Sequence, residues 1–142
     1  MCSIIGFSGN EIAAPIIVKG LKRMEYRGYD SVGVATESEN QIELKKGTGK
    51  VTEVNSKFQL DTLPGRIGIG HTRWATHGKV TDLNAHPHPS NSGKIAIVHN
   101  GIIENFEELK KQLEDDGYSF KSETDSEIIA NLLQKNYEST KN

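Results

Sequence analysis

A chain of 142 residues is long enough for one domain with a single core. Its charged fraction of 25% and net charge of -2 are ordinary for a globular protein and leave no basic footprint for nucleic acid. No apolar run approaches the roughly 20 residues that span a bilayer, and no basic leader or longer apolar region opens the chain, so a cytoplasmic protein without a membrane or nucleic-acid partner is expected.

In chain order, Ile4, Ile5 and Phe7, punctuated by Gly6 and Gly9, read as a short buried strand. Ala13, Ile16, Ile17, Gly20, Leu21 and Met24 then recur at helical spacing, with Asn10 as a candidate N-cap and Pro15 tolerable only if the helix starts near Ala13 or Ala14. Glu25 to Ser31 is a polar loop. Val32, Val34 and Thr36 alternate with small residues as a strand does; Asn40 marks a turn, and Ile42 and Leu44 form the partner strand. Val51 to Leu60 predicts a short helix. Ile67 and Ile69 alternate with Gly68 and Gly70 up to His71, a strand whose glycines invite close approach by another backbone or a ligand.

Thr72 to Ser92 has no clean period and reads as a long functional loop. Ile95, Ile97 and Val98 predict another buried strand, ending at Asn100-Gly101. Asn105 with Glu108, and Thr124 with Glu127, have capping-box spacing. The first box opens a helix with the stripe Phe106, Leu109 and Leu113 that Gly117 ends; the second opens one with the stripe Ile128, Ile129, Leu132 and Leu133. The tail from Glu138 to Asn142 is polar and expected to fray. Strand pairs and helices alternating in blocks predict a layered α+β domain.

The one cysteine is Cys2, which excludes an internal disulfide. A lone cysteine is commonly a small buried hydrophobe. Loss of Met1 would instead make Cys2 the N-terminal residue, with its own α-amine as a base. Reference pKa values of about 8.5 for a thiol and 7.8 for an α-amine put the cost of moving the proton from one to the other at only ~1 kcal/mol. An acyl transfer also needs oxyanion donors. Asn100-Gly101 offers a side-chain amide and a backbone N–H, although the dipeptide taken alone reads better as a simple turn.

An amino-acid substrate needs a partner for each of its charged ends. Arg73 offers a bidentate fork for a carboxylate, or is an ordinary surface arginine. Asp125 offers an acceptor for an ammonium, or simply complements a helix dipole. Trp74, the single tryptophan, lies in the polar loop as a lid or contact residue. The alternation in His86-Pro87-His88 puts both rings on one side of an extended chain, but five histidines without tight zinc spacing argue against a metal site.

Singly these signals are weak. Together, Cys2 to Gly6, Glu25-Tyr-Arg-Gly-Tyr-Asp-Ser31, His71-Thr-Arg-Trp-Ala-Thr-His-Gly78, Asn84-Ala-His-Pro-His88, His99-Asn-Gly-Ile-Ile-Glu-Asn105 and Ser122-Glu-Thr-Asp-Ser-Glu127 resemble, in order and spacing, the glutaminase half of the glutamine–fructose-6-phosphate aminotransferase (isomerising) family, a class II glutamine amidotransferase. The resemblance covers the whole chain but only a little over half of that family's glutaminase domain. It implies an N-terminal nucleophile hydrolase fold, an αββα sandwich incomplete in this chain. Residues 1–142 would be the N-terminal part of the glutaminase domain, without the sugar-isomerase domains through which fructose 6-phosphate accepts the ammonia.

It further implies Cys2 as nucleophile, its freed amine as acid–base group, and Asn100 and Gly101 as the oxyanion hole. Arg73 would hold the carboxylate of glutamine and Asp125 its ammonium, and Thr76 and His77 would lie with Trp74 in a closing loop. No cofactor is implied, and full-length members are expected to be homo-oligomeric. The family has Gly after the nucleophile where this chain has Ser3, which is expected to add a hydroxyl beside the reacting centre. Two other readings remain: a catalytically inactive glutamine-binding fragment or regulatory module, and a Cys–His hydrolase using His71 or His77. By itself the stretch is expected to show little or no glutaminase activity, because strand faces and edges would lack their cover.

Overall fold

The computed structural model describes residues 1–75 and 78–140. A four-stranded antiparallel sheet is built from β1 (Ser3–Ser8), β2 (Ser31–Ser38), β3 (Gln41–Thr48) and β4 (Ile67–Arg73), in the order β1-β4-β2-β3. One face of this sheet carries Val32 and Val34 and packs on α1 (Ala13–Met24) and α2 (Val51–Phe58). Ala13, Ala14, Ile17, Val18 and Leu21 form the buried stripe of α1, so Val18 is a core residue and Ile16 lies at the margin. No side chain caps α1; its N-cap is Ile12, not Asn10, and the Ala13 N–H donates to the Gly65 carbonyl. Gly68 and Gly70 are required because any Cβ there would run into Ile17, so the close approach comes from side chains of the helix.

The opposite face of the sheet carries Gly33, Lys46, His71 and Arg73, and the second half of the chain folds over it. There β5 (His88–Pro89) pairs with β6 (Ala96–Ile97), and α4 (Ser126–Ser139) covers both, with α3 (Phe106–Asp115) packed on α4. The layers therefore run helix, sheet, sheet, helix, the second sheet being a pair of two-residue strands. Lys46 ties the layers together: its ammonium donates to the carbonyls of Ala85 (2.6 Å), Leu83 (3.1 Å) and Pro87 (3.1 Å), using all three of its donors. Burial, opposed by Glu127 and Asp82, lowers its pKa to about 8.

A Cβ on Gly33 would overlap the His86 carbonyl oxygen and crowd Pro87. Gly33→Ala is accordingly expected to destabilise the protein by about 1–3 kcal/mol through forced overpacking. Urea unfolding would read this as a lower midpoint at an unchanged slope, and an unaltered midpoint would show that the loop yields without cost.

Several local expectations are corrected. Strand β1 is an edge strand, with Ile4 43% exposed, and Ile67 on β4 is 51% exposed: both lie on the inner face beyond the reach of the short second sheet. The strand expected at Ile95 to Val98 is only half-buried. β4 continues past His71 to Arg73, into the segment expected to be loop. Neither capping box forms: α3 and α4 have no side-chain cap.

Glu127 instead accepts from the N–H groups of Lys121 (2.9 Å) and Ser122 (2.7 Å) in the incoming loop. The buried face of α4 is also more polar than its apolar stripe predicts. Asn131 and Gln134 accept from the Asn91 and Ser92 N–H groups in the turn between β5 and β6, while Leu133 is 48% exposed. Among the described residues no helix is long and apolar enough to cross a membrane.

Candidate active site

The antiparallel register sets up the site. Ser3 pairs with Thr72 and Ile4 with His71, so Cys2, just before β1, falls at the corner where β4 ends. Side-chain alternation then puts Cys2, His71 and Arg73 on the inner face and Ser3 on the outer one. The extra hydroxyl of Ser3 accordingly turns away from Cys2 and donates to the Met24 carbonyl (3.2 Å) at the end of α1, which corrects the expectation that it adds to the reacting centre. On the inner side the Trp74 N–H donates to Cys2 Sγ (3.1 Å), and the thiol lies 3.5 Å from the Trp74 carbonyl oxygen.

The polar loop Glu25–Ser31 supports this corner from beneath. A Cβ on Gly28 would lie 2.9 Å from the Arg73 carbonyl carbon, so the glycine permits the close approach. The Asp30 N–H donates to the Arg73 carbonyl (3.1 Å), and the Asp30 carboxylate accepts from the Ala75 N–H (2.8 Å). Arg73 is buried, and its Nη1 donates to the Lys79 carbonyl (3.2 Å). Burial lowers its pKa against the opposing charges of Cys2, Asp30 and Asp125, and it stays a cation.

The second half of the chain brings the remaining groups. Asn100, just after β6, donates from Nδ2 to the Cys2 carbonyl (3.3 Å), and its Oδ1 lies 2.7 Å from His71 Nε2. Asp125 stands at the N-terminus of α4, where its Oδ2 accepts from the Ile103 N–H (2.7 Å). The Asn84 side chain holds this half in place: it donates to the Lys79 carbonyl (2.8 Å) and accepts from the Glu123 N–H (2.8 Å), so the Asn84-to-His88 motif stitches the loop after β4 to the start of α4.

Cys2, Arg73, Trp74, Asn100, Gly101 and Asp125 thus line one cavity of about 50 Å³. The other two residues singled out in the sequence, Thr76 and His77, lie outside the described residues. The cavity is far below the roughly 300 Å³ at the lower end for ligand pockets. Trp74, 44% exposed with its ring edge-on to Tyr29 at 5.6 Å, forms part of its rim. Larger clefts of about 270 and 400 Å³ lie beside Lys46 and beside Tyr137, away from Cys2.

Chemically, the arrangement sets a thiol beside a donated N–H, the Asn100 amide donating at the same corner, a cation and a carboxylate. Hydrogen bonds of the Cys2 thiol among the described residues run to the Trp74 backbone and not to an imidazole, which removes support from a Cys–His pair with His71. Among the described residues no cluster of His, Cys, Asp and Glu is arranged to hold a metal ion.

The histidines have another use that sequence spacing did not reveal. His71 and His86 stack at 4.2 Å, His86 meets His88 edge-on at 4.5 Å, and His88 Nε2 lies 2.9 Å from the Thr124 hydroxyl. All three rings are buried. Burial, reinforced by neighbouring positive charge, holds them neutral, with the pKa of His71 lowered to about 4 and those of His86 and His88 lower still.

Comparison with known proteins identifies the family. Residues 58–141 match the family model for the glutamine amidotransferase domain. The chain is 57% identical over its whole length to 24% of glutamine–fructose-6-phosphate aminotransferase (isomerizing) of Pyrococcus horikoshii, and 58% identical over 95% of its length to 22% of the Methanococcus maripaludis protein of that name. It spans about a quarter of the length of these curated relatives.

Among solved structures, glutamine phosphoribosylpyrophosphate amidotransferase from B. subtilis with ADP and GMP superposes with a TM-score of 0.78 at 32% identity, over 95% of this chain and 29% of that one. A structure described as the allosteric regulatory enzyme of purine biosynthesis does so with a TM-score of 0.81 at 32% identity, over 95% and 30%. The architecture is that of the N-terminal nucleophile hydrolase αββα sandwich, present here in part. On its sequence match, its layers and its superposition, the chain belongs to the glutamine amidotransferase domain family.

Proposed function

We propose that residues 1–142 are the N-terminal part of a class II glutaminase domain that splits glutamine into glutamate and ammonia through Cys2. Removal of Met1, which is 80% exposed, frees the Cys2 amine. The amine takes the thiol proton, and the thiolate attacks the side-chain amide carbon of glutamine. Asn100 Nδ2 and the Gly101 N–H donate to the oxyanion. The protonated amine returns its proton to the departing nitrogen, ammonia leaves, and water then hydrolyses the thioester to glutamate. Arg73 holds the α-carboxylate of the substrate and Asp125 its ammonium. Trp74, on the rim of the small cavity, contacts the bound glutamine.

The names of the relatives support fructose 6-phosphate as the acceptor of the ammonia. The observation that carries the proposal is the meeting of Cys2, the Asn100 amide and Arg73 around one cavity, from three separate parts of the chain.

The test is labelling of the Met1-free protein by a glutamine-mimicking electrophile. Cys2 should be modified, and free glutamine should protect it. Arg73→Lys keeps the charge but loses the fork, which should raise the protecting glutamine concentration by roughly 10- to 150-fold, equivalent to about 1.5–3 kcal/mol. Protection at the same concentration in both proteins would take Arg73 out of the site. Glutamine binding without any modification of Cys2 would support the non-catalytic module instead.

A further inference from the structure

We infer that His71 is a positioning residue for the oxyanion hole: its Nε2–H holds the Asn100 amide so that Nδ2, and not Oδ1, faces the reacting carbon. The inference rests on the oxyanion role proposed for Asn100.

An amide side chain carries donors on one side and an acceptor on the other, and its two orientations have nearly the same shape. Nothing covalent in Asn100 selects between them, yet only one has a donor at the oxyanion. With Oδ1 turned inward, two oxygens would face each other and the tetrahedral intermediate would be repelled. Two contacts remove the ambiguity. On the Cys2 side, Nδ2 lies 3.3 Å from a carbonyl oxygen, which only accepts. On the other side, Oδ1 lies 2.7 Å from His71 Nε2 and also only accepts, so that nitrogen carries the hydrogen. A neutral imidazole has one N–H, and placing it on Nε2 leaves Nδ1 bare. His71 Nδ1 is indeed a buried atom without a hydrogen-bond partner among the described residues, as is His86 Nδ1. The bond to Asn100 is therefore the single hydrogen bond that this 1%-exposed ring makes among the described residues, and its orientation is spent on it.

The ring is also kept from turning. His86 lies flat against it, 4.2 Å away with the planes 19° apart, and His88 meets His86 edge-on. Gly33, directly across the sheet from His71, has no Cβ, which leaves room for the backbone of His86. The donor direction is thus fixed by packing before any substrate arrives, as electrostatic preorganisation requires. His88 bonds to Thr124, the residue before Asp125, so the same stack spans both ends of the proposed glutamine site.

The experiment compares glutaminase kinetics of the complete domain carrying Asn100→Ala, His71→Phe, His71→Gln and the Asn100→Ala/His71→Phe pair, each checked by thermal melting. Asn100→Ala should lower kcat by roughly 10²- to 10³-fold, the scale for loss of one oxyanion donor. His71→Phe keeps the stacking but not the donor. It should lower kcat about tenfold or more with KM for glutamine changed less than threefold, and add nothing to Asn100→Ala in the double variant. His71→Gln restores an N–H at the reach of Nε2 and should recover kcat to within about tenfold of the parent.

Losses that add in the double variant, or a His71→Gln protein as slow as His71→Phe, would overturn the positioning role. Should His71→Phe fail to fold, His71→Gln alone decides: a kcat as low as that of Asn100→Ala sinks the inference. An Asn100→Ala protein with unchanged kcat would instead sink the oxyanion reading on which the inference stands.

Discussion

Cys2→Ala in the complete glutaminase domain is expected to lower glutamate release at saturating glutamine on the order of 10⁴-fold or more, the scale seen when a covalent nucleophile is deleted. Affinity for glutamine should change little, because Arg73 and Asp125, the partners proposed for its α-carboxylate and α-ammonium, are untouched. The same experiment separates the two functions assigned to residue 2. A protein with Cys2 intact but Met1 retained keeps the thiol and the donated Trp74 N–H, yet its nitrogen has become an amide and cannot accept a proton. It should therefore lose the factor ordinarily supplied by a general base, roughly 10²- to 10⁴-fold, without losing the ability to bind glutamine. Intact mass establishes the state of the N-terminus in each preparation. If glutamate is released at the parental rate with Met1 in place, the α-amine is not the base and another group must activate the thiol.

What the sequence disclosed about this site depended on how local each signal was. Cys2 stood out locally, as the one cysteine beside a potential free amine, whereas Arg73 read equally well as a surface arginine, in a segment expected to be loop and found to be the end of β4. Asn100-Gly101 was not: as a dipeptide it reads as a turn, and only the six motifs taken together separated it from one. The histidine stack was invisible for a related reason. His86-Pro87-His88 does put two rings on one side, but periodicity cannot say that the third ring would be His71 on a different strand, or that stacking would be their use.

The capping boxes failed through competition. Glu127 has the right spacing from Thr124, but the N–H groups of Lys121 and Ser122 arrive in a loop with no ladder to join, and satisfying them takes the carboxylate away from the cap. Ile4 and Ile67 show the same limit for sheets: alternation tells which face a side chain is on, and not whether another layer covers that face. Lys46 gave no signal at all, being one lysine in a polar strand, although three carbonyls converge on it.

The buried histidine stack is also expected to make the protein sensitive to acid. An unfolded chain binds a proton at each histidine near pH 6.5. In the folded protein burial comes first in keeping protons off His71, His86 and His88. The cations around them reinforce this: Lys46 reaches in from β3, and Arg73 shares β4 with His71. The partners that touch the rings, Asn100 and Thr124, are neutral.

Because these folded-state pKa values lie below the unfolded ones, the stabilisation is complete above about pH 6.5 and is lost as the pH falls from there toward 4, where His71 itself begins to titrate. Three protons taken up on unfolding correspond to a fall of roughly 4 kcal/mol per pH unit, against a typical total stability of about 5–15 kcal/mol. The protein is therefore expected to lose most of its stability between pH 6.5 and 4. Urea unfolding at pH 7.5, 6.0 and 5.0, converted to proton uptake, measures the effect directly. His86→Phe keeps an aromatic ring in the stack and removes one titrating site, so it should reduce the uptake near pH 5 from about three protons to about two. A parent protein whose stability changes by less than about 1 kcal/mol between pH 7.5 and 5.0 would mean that the stack accepts protons in the folded state, and that the neutral imidazoles drawn here are not what holds these layers together.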